Sequence, residues 1–185
     1  MGSTLLLEST ELFKYIKNGH FLYGVISLID LCHYNWQVRE EWFKWCETIA
    51  IEELTKKRAG GMGSIIHTLF HVIDCEQLWI NQMQGTAVIK KDINTISSLS
   101  DVKTFSIITK PVTQRFLESY ALDTGERILE VKSKNGNSFS FTYERIIRHI
   151  ITHEIHHIGQ LSVWSREIGI EPVSSDLLIR DYVRI

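Results

Sequence analysis

The sequence predicts an all-α protein, a four-helix bundle with a small β-hairpin before its last long helix. Three features of the 185 residues carry that expectation. Proline occurs only at Pro111 and Pro172, so long helices are permitted. Apolar residues recur at helical spacing in four stretches. Asn135-Gly136, a turn dipeptide, separates two short runs of strand-forming residues.

The first helix covers about Leu22 to Cys46, through Ile26, Ile29, Trp36 and Phe43. Glycines at 60, 61 and 63 then break the chain, and Ser64 is placed to cap a second helix running to Gln84. Gly85–Ser100 is polar and reads as a connection. Asp101 opens a third helix to about Tyr120, with Pro111 expected to kink or break it. Arg127–Lys132 and Ser138–Phe141 flank Asn135-Gly136, which predicts a hairpin closed by a two-residue turn. Thr142 is the N-cap of the last helix, Glu144 lies in its first turn, and Gly169 ends it ahead of Pro172. A short tail helix is expected from Ser174 or Ser175. No repeat or composition shift divides the chain, so residues 1–185 are expected to form one domain.

Hydrophobic residues make up 44% and charged residues 23%, an ordinary globular composition. A net charge of −2 without a basic stripe argues against nucleic acid as a partner. No apolar run is long enough to span a bilayer and no signal-peptide pattern opens the chain, so no membrane association and a cytoplasmic location are expected. Cys32, Cys46 and Cys75 are odd in number and widely spaced, which fits reduced thiols.

Chemistry concentrates in His149–Gln160, HIITHEIHHIGQ, which holds four of the eight histidines. His153 and His157 are one helical turn apart, about 6 Å along the axis, and can present two nitrogens to one ion. On a helical wheel both fall within the apolar face, whereas His149 and His156 fall at its rim. Two unpaired imidazoles on a buried face would cost about 1–3 kcal/mol each, and a shared metal removes that cost. The second helix repeats the spacing with His67 and His71, of which His71 is nearer the apolar face. Cys75, one turn on, reads as a small buried hydrophobe. His20 and His33 stand alone.

Glu76 and Glu154 also fall on apolar faces, where a carboxylate needs a partner. Arg39 is available to Glu76. Glu154 is expected either to pair in the same way or to act as a base beside the metal. Gln160, one turn past His157, is placed to orient a ligand or bound water.

His153–His157 also spells H-E-x-x-H, the helix of the zinc proteases. The extended protease pattern would need glycine at 160 and histidine at 163, where Gln160 and Val163 stand. No histidine follows His157, and Glu171 and Asp176 beyond the helix have nothing further to support them as ligands. A carboxylate-bridged di-iron site would need two E-x-x-H helices, and only Glu154–His157 fits. Both readings rank below a three-histidine site.

Ser64-Ile65, Leu69, His71, Glu76 and Trp79 resemble the second-helix motif of the DinB/YfiT-like metalloproteins. His153, His156, His157, Gly159 and Gln160 resemble that family's last-helix motif, H-x-x-H-H-R-G-Q, with Ile158 in place of the arginine. Asn35-Trp36 and Arg39 suit its first helix. The resemblance implies a four-helix bundle and a divalent metal, most often nickel or zinc, on His71, His153 and His157. It also implies frequent homodimerisation and varied activities, among them transfer of low-molecular-weight thiols. The leading expectation is therefore a metal-dependent hydrolase or thiol transferase acting on a small molecule in stress or detoxification. The competing expectation is a non-enzymatic protein in which the metal staples helices of a dimer or ligand-binding module.

Overall fold

The computed structural model describes residues 19–121, 125–133 and 135–180, with side chains from Leu28 onward. His20 and the apolar Ile26 therefore lie outside the described side chains. The described chain is mostly helical, with one two-stranded antiparallel sheet. In chain order come α1 (Gly19–Glu47), α2 (Ile51–Thr55), α3 (Ile65–Gln84), α4 (Leu99–Ala121), β1 (Ile128–Lys132), β2 (Ser138–Thr142) and α5 (Tyr143–Ile168). Both α3 and α1 pack against α4 and against α5.

Local chemistry sets the helix ends. Ser64 accepts the His67 N–H and starts α3, and Gly85 ends it in the left-handed region at φ 68°. Thr142 accepts the Arg145 N–H and starts α5, and Gly169 ends it at φ 83°. In α4 the cap is Ser98. Its hydroxyl accepts the Asp101 N–H at 3.2 Å while the Asp101 carboxylate accepts the Ser98 N–H at 3.0 Å. This reciprocal capping box puts Asp101 in the first turn instead of at the start.

Three expectations need correction. Pro111 does not break α4, which runs on as one helix to Ala121. The proline lies on the exposed face, and Ile107, whose carbonyl loses its helical partner, is 71% exposed, so water can take that carbonyl. The hairpin turn is longer than two residues. Gly136 N–H bonds to Ser133 C=O at 3.0 Å, Ser133 N–H bonds to Asn137 C=O at 2.8 Å, and Gly136 has φ 83°. That is a turn followed by a glycine bulge, with Asn135-Gly136 shifted one position from the expected centre. Among the described residues, the tail beyond Ser174 forms a single 3-10 turn, Leu177–Ile179. It is held against α1 instead: Tyr34 OH donates to Ser175 C=O at 2.6 Å, and Arg180 pairs with Glu41 at 2.6 Å. The short α2 and a 3-10 turn at Ile93–Thr95 were not expected.

The core falls into two apolar clusters. One gathers Trp42, Phe43, Ile65, Leu69, Phe70, Phe105, Leu161 and Trp164. The other gathers Leu28, Trp36, Ile80, Met83, Phe116, Tyr143, Ile147 and Ile150. At the junction, one residue from each of three helices is buried and charged: Arg39 of α1, Glu76 of α3 and Glu154 of α5. The arginine donates to Glu154 from Nε at 2.8 Å and from Nη2 at 2.6 Å, and Nη2 also reaches Glu76 at 2.7 Å. Trp36 Nε1 adds a bond to Glu76 at 3.0 Å. Burial pushes the Arg39 guanidinium towards losing its proton, but the two carboxylates outweigh that and hold it charged. Through Arg39 the layer links α3 to α5, the two helices that carry the candidate site.

Candidate metal centre

Together α3 and α5 bring three imidazoles to one place. The His153 and His157 rings are 4.6 Å apart between centroids, and His71 of α3 stands 4.8 Å from His153 and 5.0 Å from His157. Each of the three offers one ligand nitrogen, and these nitrogens lie within 4.8 Å of one another. His71 Nε2 and His153 Nε2 are 3.1 Å apart. Two neighbouring nitrogens on a single ion, bonded at about 2.1 Å, stand about 3.0–3.4 Å apart. The group therefore fits a divalent ion with small side-chain rotations. Among the described residues it has three members, which leaves coordination positions for other ligands.

The electrostatics suit neutral ligands. Burial, followed by the neighbouring His157, lowers the His153 pKa to about 4. Burial and then His157 also lower that of His71, and burial lowers that of His157 against the opposing bond from Gln160. Lone pairs on all three are thus available at neutral pH, as metal binding requires.

Gln160 organises this group. Its Oε1 lies 2.8 Å from His157 Nδ1, and its Nε2 lies 3.0 Å from His156 Nε2. One arrangement satisfies both contacts: His157 Nδ1–H donates to the amide oxygen while the amide N–H donates to His156. That leaves the His157 Nε2 lone pair free, the tautomer a metal ligand needs. Gly61 backs the amide closely. A Cβ at that position would meet Gln160 Oε1 and Trp164 at 2.8 Å.

The other candidates are placed as follows. Glu154 belongs to the Arg39 layer, with both carboxylate oxygens bonded there. His67 turns away from the cluster, with its Nε2 3.1 Å from Ile96 C=O. His149 is exposed, 5.6 Å from the His153 ring and 6.0 Å from the Trp79 ring. His33 packs edge-on against Trp36. Cys75 is half-buried and its thiol is pushed up to about 12 by burial, as for a space-filling residue. The Gln160–His156 link was missed by sequence reasoning. The i, i+4 spacing of the two residues was its only signal.

A model of the DinB family matches residues 21–183. An uncharacterized protein of Bacillus subtilis (strain 168), YizA, is 41% identical over 153 residues, covering 83% of this chain and 95% of the relative. No described helix is long and apolar enough to cross a membrane.

Proposed function

The chain belongs to the DinB family, and from that premise we propose that it is a metal-dependent enzyme acting on a small molecule. His71, His153 and His157 hold the ion, a divalent metal that the family resemblance makes zinc or nickel, both compatible with imidazole donors. The observation that carries this reading is the convergence of three neutral imidazoles from two helices, with Gln160 setting the tautomer of one. When bound, the ion supplies Lewis acidity and open positions for water or a thiol. The chain's own residues hold and orient. Gln160 keeps the His157 proton on Nδ1, and the Arg39 layer links α5 to α3. Glu154 is a framework residue in this reading, because a general base needs a free oxygen within reach of the proton it takes.

The four long helices form a four-helix bundle in this reading. The contacts α1–α4, α4–α3, α3–α5 and α5–α1 close a ring, and the metal is gripped between two neighbours in it. The reaction classes that use such an ion with open positions are hydrolysis and thiol transfer. A panel of esters, amides and electrophile–thiol pairs, run with metal-loaded protein and with chelator, tests the proposal. Turnover that chelator abolishes and the metal restores is the expected result. Full metal occupancy without turnover of any pair would favour the non-enzymatic staple instead.

A further inference from the structure

Beside the metal centre, α3 and α5 continue as two facing stripes. His71, Cys75 and Trp79 follow one another at single-turn spacing on α3, and His157, His153, His149 and Arg145 do so in the opposite direction on α5. Ring contacts pair them in that order: His71 with His153 and His157, then Trp79 with His149. Past His149 the stripes open into a cavity lined by Trp79, Phe141, Arg145, Ile146 and His149. Its volume is about 250 Å³ and it opens to solvent, just under the usual ligand-pocket range and room for a single-ring molecule.

The lining is chemically one-sided. Trp79 and Phe141 stand edge to face, 6.4 Å between centroids, and with Ile146 they form an apolar wall. Arg145 lies over the Phe141 ring at 5.6 Å, which fixes its guanidinium at the rim. No carboxylate lines the cavity, and no ion pair of Arg145 occurs among the described residues. An aromatic wall with an uncompensated guanidinium recognises an aromatic ring carrying an anionic group.

We propose that this cavity is a substrate subsite for an aryl carboxylate, with the ring against Trp79 and Phe141 and the carboxylate on Arg145. This rests on the metal-centre reading in one respect: the other end of such a molecule would extend along the stripes towards His153, eight residues or about 12 Å along the helix from Arg145.

The test titrates full-length protein, metal-free and metal-loaded, with 3-phenylpropionate and with its uncharged amide, reading tryptophan fluorescence and heat. The acid should bind about tenfold more tightly than the amide in both forms, since a charge-assisted bond contributes at least that much. Arg145→Gln should abolish the preference, and Trp79→Leu should weaken acid and amide together; metal content should stay unchanged in both variants. Equal binding of acid and amide, or no binding of either, would overturn the subsite. So would a preference confined to the loaded form and insensitive to Arg145→Gln, which would put the carboxylate on the metal. Acid preference in a protein that takes up no metal would uphold the subsite while sinking the metal reading.

Discussion

Arg39 grips both carboxylate oxygens of Glu154, Nε to Oε1 at 2.8 Å and Nη2 to Oε2 at 2.6 Å, deep in the core. Glu154 is the glutamate of the H-E-x-x-H spelling, the position that would serve as general base in a zinc protease. Here that carboxylate is committed to holding α5 against α1. The spelling is thus produced by two independent demands on one helix, a buried ion pair and a pair of histidines one turn apart.

Removing the shared cation leaves two buried carboxylates facing each other. Arg39→Met should therefore destabilise the fold by about 3–5 kcal/mol. Urea unfolding of wild type and variant measures this directly. A loss below about 1 kcal/mol, in the range of exposed pairs, would show that the layer is not structural.

Gln160 acts through His157. Gln160→Ala should leave the fold intact and weaken metal affinity by about 10–100-fold, the usual cost of losing a partner that orients a ligand. Competition against a chromogenic chelator reads the affinity. Gln160→Glu keeps an acceptor for the His157 N–H and should retain most of it. Equal affinity in wild type and Gln160→Ala would remove Gln160 from the site.

The three imidazoles make the metal-free protein sensitive to acid. All three have pKa values lowered by burial, His153 to about 4. Because the folded values lie below the unfolded one, near 6.5, the unfolded chain takes up protons first. Stability is then full above about pH 6.5 and falls as the pH drops towards 4. Unfolding in chelator at pH 7.5, 6 and 5 should show this decline, and His153→Gln should flatten it. A decline equally steep in His153→Gln would assign it to other groups.

Much of this arrangement was legible in the sequence because it depends on spacing. Ser64 and Gly85 bracket α3, and Thr142 and Gly169 bracket α5, each through a local backbone bond. His153 and His157 stood out for the same reason, as an i, i+4 pair on one apolar face, and His71 as the member of the α3 pair nearer its apolar face. Features that depend on tertiary contacts were not legible. The described tail makes only a 3-10 turn and lies along α1, where Tyr34, Glu41 and Trp45 offer it bonds across more than 120 residues. The hairpin gained a bulge where Asn135-Gly136 alone signalled a tighter turn. The double role of Arg39 needed the packing of three helices, and the link from Gln160 to His156 needed side-chain conformations that their i, i+4 spacing permits but does not fix.

The central claim is that His71, His153 and His157 form one metal site. Elemental analysis of protein purified without a polyhistidine tag, supplemented with zinc or nickel and then dialysed, tests it most directly. The expected result is about one ion per chain, lost in each of His71→Ala, His153→Ala and His157→Ala and retained in His67→Ala. Metal-free wild type after supplementation, or undiminished metal in any of the three variants, would contradict the account.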